Sequence, residues 1–111
     1  MASLPHHVAT VRLFVSAVAR SAGLDVETID DAKLAASEIA TAIITAGDLP
    51  YITVQATPVP GHLKLVLGPW RDGLGEDEDF GPLEIVKALF EGTTVDGGFI
   101  VLPIVALGPD D

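Results

Sequence analysis

The chain has 111 residues, the size of one domain, and 49 % of them are apolar while only 20 % are charged. This composition excludes an intrinsically disordered chain. Six Lys and Arg residues stand against sixteen Asp and Glu residues, and the resulting net charge of −10 disfavours binding to nucleic acid or to anionic membranes. Cysteine is absent, which excludes disulfides, thiolate nucleophiles and Cys-ligated zinc.

The N-terminal segment lacks the basic region and apolar run of a signal peptide. No stretch of 18 uncharged apolar residues occurs, so we expect no membrane span and a cytoplasmic location. We expect one domain over residues 1–111, with its core at about 4–107 and a disordered tail at 108–111.

The first half of the chain predicts two helices, near 6–22 and 28–46. In both segments apolar side chains recur at the helical spacing of i, i+3, i+4 and i+7. Gly23 follows the first pattern and is expected to end that helix. Thr28 or Asp30 is expected to cap the second helix, because both side chains can accept a hydrogen bond from a free backbone N–H.

The second half changes to the alternation typical of strands. Residues 51–57 and 62–67 predict an antiparallel hairpin, and a short helix is expected at 82–90. Residues 93–95 and 99–107 predict a second hairpin, joined by a turn that is rich in glycine.

Between the first hairpin and the short helix, residues 68–81 combine Gly, Pro and a dense acidic run, which indicates a loop. Pro103 interrupts the final strand, so we expect a sheet edge or a bulge at that position. The resulting order, ααββαββ, indicates helices segregated on one face of a mostly antiparallel sheet.

Residues 34–47 read Leu-Ala-Ala-Ser-Glu-Ile-Ala-Thr-Ala-Ile-Ile-Thr-Ala-Gly. This segment resembles the second-helix motif of GHKL-type ATPases, in particular that of anti-sigma-factor serine kinases of the RsbW type, which carry Ser-Glu-x-x-x-Asn-Ala-x-x-His-Gly/Ala. Further matches to that family lie at 4–5, 11–15, 23–24, 81–89 and 97–98. The resemblance implies a reduced histidine-kinase-like ATPase fold, an α/β (α+β) two-layer sandwich.

The resemblance also implies which positions would serve catalysis and nucleotide binding. Glu38 matches the family's catalytic acid, which accepts the proton of the substrate serine. Ala42 stands where the family has the Asn that binds Mg²⁺, and a methyl group offers no oxygen to a hard cation. Ala46 replaces the family's His. We therefore interpret Glu38 as a remnant and not as a working base.

The adenine-reading motif of the family, Asp-x-Gly-x-Gly, aligns with the segment that runs from Gly68 through Trp70 to Asp72, and its Asp and both its glycines are missing in that register. Trp70 is expected to be buried in the room that the base needs, with an exposed anchor for a partner as the alternative, and Gly81 begins the next matching segment. Residues 72–79 hold five carboxylates, and each would repel a phosphate charge at ~4 Å by about 4 kcal/mol. We expect neither ATP nor Mg²⁺ as a cofactor, and no other metal.

We interpret the chain as an anti-sigma-factor-like regulator, a pseudokinase that controls transcription by partner switching. The family's partner surface lies on the first helix, so the polar face with Arg12, Ser16 and Arg20 is expected to bind a sigma factor or its antagonist. The resemblance also implies a homodimer. One alternative is an active ATP-dependent serine/threonine kinase, which the retained Glu38 and the segment at Gly81 favour. A second alternative is a non-catalytic structural or interaction module.

Overall fold

The computed structural model describes residues 7–46, 51–59, 62–70 and 82–105. The elements in chain order are helices α1 (His7–Ser21) and α2 (Val26–Ala46), strands β1 (Thr53–Val59) and β2 (His62–Gly68), helix α3 (Pro82–Leu89), and strands β3 (Thr94–Asp96) and β4 (Phe99–Val105). This is the predicted order, and the predicted α+β fold class is confirmed. The acidic run and the expected disordered tail lie outside the described residues.

Helix α1 forms as its periodicity predicts and ends as its glycine predicts. Its core-facing side carries the fully buried Val11, Val15 and Ala19. Gly23 has a φ of +81°, which favours glycine. The Gly23 N–H donates to the Arg20 carbonyl and the Leu24 N–H donates to the Ala19 carbonyl, both at 3.1 Å. These two bonds form a Schellman motif, which satisfies carbonyl groups that the helix end leaves unpaired.

Helix α2 begins at Val26, two residues earlier than the sequence predicts. Its cap is Asp25, whose Oδ2 accepts a hydrogen bond from the Thr28 N–H at 3.2 Å and whose Oδ1 accepts one from the Thr28 hydroxyl at 2.5 Å. The expectation that Thr28 or Asp30 caps this helix is therefore wrong. Asp25 precedes both residues and already binds the backbone N–H at the third helical position, which is the usual role of a cap.

The four strands form one antiparallel sheet in the order β1-β2-β4-β3. Alternate residues of the two central strands are buried in the core, namely Leu63, Leu65, Leu67, Ile100, Leu102 and Ile104. Strand β1 begins and ends two residues later than the predicted range of 51–57, so Pro58 lies within the strand and pairs with Leu63. A proline is tolerated there because β1 is at the edge of the sheet.

Strand β4 remains regular through Pro103, which pairs with Lys64 of β2. Strand β3 pairs with β4 only from Phe99 to Val101, so β4 has a strand on one side only at Pro103. Strand β4 is central in the sheet, so the expected edge is only local: among the described residues, one side of β4 has no partner strand at Pro103. The register with β2 is continuous there, so the strand has no bulge.

Helices α1 and α2 pack against each other and cover the sheet. Four alanines on α2 are fully buried, and their small side chains let this helix pack closely against its neighbours: Ala32, Ala35, Ala36 and Ala40. Within the described ranges, none of the helices combines the length and the apolar character that crossing a lipid bilayer requires. The outer side of the α1–α2 pair faces solvent, and the candidate site lies there.

Candidate functional site

A groove of about 280 Å³ runs between α1 and α2 on the outer side of the helical layer. It is lined by Ala9, Arg12, Leu13, Ser16 and Lys33. The four residues from α1 follow a spacing of three and four, which places them on one continuous helix face. We call this feature the α1–α2 groove. Because the buried stripe of α1 points inward, these residues do not pack against the sheet and are available for contact with a ligand.

Positive charge is concentrated at the α1–α2 groove. Arg12 and Lys33 line it, and Arg20 lies on α1 two helical turns beyond Arg12. Together they are three of the six Lys and Arg residues in a chain that carries sixteen acids. A local cluster of one charge sign on a surface of the opposite sign creates a distinct potential that selects partners.

Ser16 lines the groove and also contacts Arg20. Its side chain is only 9 % exposed, and its Oγ accepts a hydrogen bond from Arg20 Nη2 at the long distance of 3.5 Å. The bond orients the Arg20 guanidinium along α1, toward the groove. The structure therefore brings together the three residues predicted from the sequence, with Ser16 in the groove wall and not on an open polar face.

Leu13 and Lys33 are groove residues that the sequence analysis missed. Leu13 is 71 % exposed, so the groove presents a large apolar side chain directly to solvent. The signal for Leu13 was available, because it lies next to Arg12 on the polar side of α1 and outside the core stripe. Lys33 belongs to another helix, and only the packing of α1 on α2 brings it to Arg12 and Ser16.

The predicted catalytic position and the predicted metal-binding position both lie on α2. They are four residues apart and therefore share one face of the helix. Glu38 and Ala42 are both half-buried and are separated by one helical turn. Ala42 packs against the hydrophobic core, and its methyl group cannot ligate Mg²⁺. Ala46 is the final residue of α2, with a side chain outside the description, and Asp72 and Gly81 lie outside the described residues.

Trp70 follows β2 and is a member of the hydrophobic core, with only 6 % of its surface exposed. Its backbone N–H donates to the Gly98 carbonyl at 2.7 Å, which ties the end of β2 to the turn between β3 and β4. The prediction that Trp70 is buried is confirmed. That its indole takes the place of an adenine ring stays a prediction.

The glycines near Trp70 have local structural explanations. A Cβ at Gly68 would lie 2.8 Å from Phe99 Cε1 and 2.9 Å from the Gly98 carbonyl oxygen, so only glycine fits beneath the Phe99 ring. Gly97 and Gly98 have φ values of +59° and +85° and form the predicted tight turn between β3 and β4. These glycines serve packing and chain reversal.

No three His, Asp or Glu residues come together as potential metal ligands anywhere in the described part of the chain. The cation-rich groove therefore remains the described feature with the most distinctive chemistry. It can hold anionic groups through Arg12, Arg20 and Lys33, and it can pack an apolar group against Leu13.

In a comparison with protein families, the chain matches a family described as Histidine kinase-like ATPase domain over residues 1–79. The matched region is more than half of the chain and contains α1, α2, β1 and β2. No match was found among the curated proteins. The family match agrees with the GHKL-type resemblance of the second-helix motif, and it is broader than the anti-sigma-factor subfamily.

Proposed function

Because the chain belongs to the family of histidine kinase-like ATPase domains, we propose that it is an anti-sigma-factor-like regulator that binds a protein partner without phosphorylating it. The observation that carries this proposal is the α1–α2 groove, where an exposed Leu13 lies among cations in an otherwise acidic chain. A sigma factor and its antagonist would compete for this surface in the cytoplasm, and exchange of one for the other would switch transcription.

The residues at the positions where the resemblance implies nucleotide binding support a protein that binds its partner without phosphoryl transfer. Mg²⁺ requires oxygen ligands, and Ala42 supplies none at the position where the resemblance implies an Asn. Trp70 fills space in the core next to β2. A protein that only sequesters a partner needs neither feature, since sequestration depends on the fold and on one complementary surface.

A homodimer forms part of the same proposal. The face of β4 that points away from the helices carries the half-buried Phe99 and Val101 and the exposed Pro103 and Val105. Val66 of β2 is opposite Val101 on this face. An apolar sheet face of this kind is suited to pack against a second copy of itself about a two-fold axis.

An active serine/threonine kinase is the second candidate, and Glu38 is the observation that favours it. Glu38 is half-buried on α2, so its carboxylate retains access to solvent and to a substrate hydroxyl. The two candidates differ in their requirements: a kinase depends on Glu38, whereas a binding regulator depends on the α1–α2 groove.

Titration with any sigma factor or antagonist protein that is encoded near this gene separates the candidates. We expect the double variant Arg12→Glu/Arg20→Glu to weaken capture by about 1–3 kcal/mol, the range of hot-spot charges. Glu38→Ala should leave capture unchanged and alter stability by no more than about 0.5 kcal/mol. The matched control for each single arginine reversal is Lys87→Glu, which changes the net charge equally at an exposed position of α3, outside both the groove and the proposed dimer face.

The kinase candidate takes precedence if Glu38→Ala abolishes function while the arginine reversals do nothing. If no sigma factor or antagonist is captured, the alternative of a structural or interaction module takes its place. Circular dichroism of every variant establishes that the fold is intact before affinities are compared.

A further inference from the structure

The α1–α2 groove offers two kinds of contact that few ligands can satisfy together. Its apolar part consists of Ala9 and the strongly exposed Leu13. Its charged part consists of Arg12 and Lys33 on the two helices, with Arg20 further along α1. A ligand that fits must bring an apolar group to the first part and anionic groups to the second.

The dimensions of the groove indicate the size of that ligand. A volume of about 280 Å³ accommodates a few side chains and not a folded domain. Arg12 and Arg20 are separated by eight helical residues, which corresponds to roughly 12 Å along the axis of α1. The Arg20 guanidinium reaches back to Ser16, so a helix laid along the groove would meet the two guanidinium groups with side chains between one and two of its own turns apart.

We propose that the α1–α2 groove binds an acidic amphipathic helix of the partner protein. A leucine-sized side chain of that helix packs against Leu13 and Ala9, while carboxylates on its flanks pair with Arg12, Arg20 and Lys33. This inference rests on the proposed function, in which the α1 face captures a protein, and it adds the class of segment that is captured. Docking of an amphipathic helix in an apolar groove is a recurrent mode of recognition.

Because the chain as a whole is acidic, its preference for an acidic helix acts only at short range, within the groove. At −10 the whole molecule repels an acidic ligand at long range. At physiological ionic strength, charges more than about 8 Å apart are largely screened, so the contacts with the groove cations dominate once the helix is docked. A basic helix would be attracted to the molecule as a whole but would meet Arg12 and Lys33 in the groove and Arg20 next to it.

A labelled peptide provides the test. The probe is a fluorescein-labelled amphipathic helix of 18 residues, about five turns, with leucines on one face and glutamates on its flanks. One control peptide has the same composition in scrambled order, and another carries lysine in place of glutamate. Fluorescence anisotropy with the full chain should show binding of the probe at least about tenfold tighter than that of either control peptide.

Variants of the protein locate the binding. Lys33→Glu and Leu13→Ser should each weaken binding of the probe by about fivefold or more, while Lys87→Glu and Val95→Ser should not change it. The controls match the charge change at an exposed lysine of α3 and the polarity change at an exposed apolar residue of β3.

The proposal is overturned if the acidic amphipathic peptide binds no better than the scrambled or basic peptide, or if Lys33→Glu and Leu13→Ser behave like their controls. Such a result leaves the proposed function standing when whole-partner capture still depends on Arg12 and Arg20. Conversely, if the peptide binds at the groove but the cellular function depends on Glu38, this inference stands and the proposal of a regulator without kinase activity is wrong.

Discussion

The ring of Phe99 crosses the backbone of β2 at Gly68, and this contact determines the residue type at position 68. A Cβ there would fall well inside van der Waals distance of the ring and of the Gly98 carbonyl oxygen. The neighbouring Trp70 N–H donates to that same carbonyl. Position 68 is thus held between a side chain and a turn that are both part of the packed structure, and neither can move away freely.

We predict that Gly68→Ala lowers the free energy of unfolding by about 1–3 kcal/mol, the usual cost of extra atoms in a packed region. Urea denaturation followed by circular dichroism measures this change. In combination with Phe99→Leu the loss should be less than additive, because the smaller side chain makes room.

Gly23→Ala is the control for this prediction, because a Cβ at Gly23 meets nothing within 4 Å and costs only through the positive φ. Gly23→Asn should recover part of that loss, since Asn tolerates this conformation. A Gly68→Ala variant as stable as the parent protein contradicts the packing argument.

At the scale of elements, helices α1 and α2 show what a sequence pattern can predict. The end of α1 was predictable because the positive φ of Gly23 ends the helix through hydrogen bonds to the last helical turn, which is adjacent in sequence. The start of α2 was not, since Asp25 and Thr28 are both good caps and only the hydrogen bonds of the folded chain decide between them. Lys33 was missed because its role in the groove depends on the packing of two helices, which periodicity does not encode.

The segment that aligns with the family's adenine-reading motif also has one feature that the sequence predicts and one that it does not. The burial of Trp70 was predicted from a family resemblance, and the structure has it in the core. The requirement for glycine at position 68 was not predictable, because it arises from Phe99, which is distant in sequence and adjacent only in the sheet. Local patterns predicted most of the fold, whereas contacts between elements determined the details of the site.

Helix α2 carries the prediction on nucleotide binding. Millimolar Mg-ATP should leave the melting temperature unchanged, whereas a ligand at 100 times its Kd would stabilise the fold by about 2.7 kcal/mol. Ala42→Asn restores one metal ligand and should still give no shift, because Trp70 remains in the core. Differential scanning calorimetry with Mg-ATP, and again with EDTA, makes the measurement. A rise of several degrees that the chelator reverses contradicts this prediction.

At the scale of the whole molecule, the sheet joins distant parts of the chain. Strand β4 lies between β2 and β3, so residues outside the family match at 1–79 pair directly with residues inside it. The buried side chains Ile100, Leu102 and Ile104 of β4 complete the core over which the helices pack. The matched region therefore depends on the rest of the chain for its stability.

We predict that a fragment of residues 1–79 does not fold cooperatively, because the edge of β2 that pairs with β4 loses its hydrogen-bond partners and the core loses the apolar side chains of α3 and β4. Trp70 is the sole Trp in the chain and reports the outcome directly. In the full chain its fluorescence should be blue-shifted and poorly quenched by acrylamide. In the fragment it should be red-shifted and readily quenched.

The control fragment, residues 1–105, retains β4 and should behave like the full chain. A sigmoidal urea transition for residues 1–79, with Trp70 still shielded from acrylamide, contradicts the dependence on β4. The two fragments together distinguish the loss of a central strand from the mere shortening of the chain.

The central position of β4 has a consequence for biosynthesis. A ribosome releases α1, α2 and the β1–β2 hairpin before it releases residues 99–105, so during that interval the nascent chain exposes the edge of β2 that later pairs with β4. The sheet can close only after β4 has left the exit tunnel. A chaperone that shields the open edge of β2 during this interval would therefore raise the yield of folded protein.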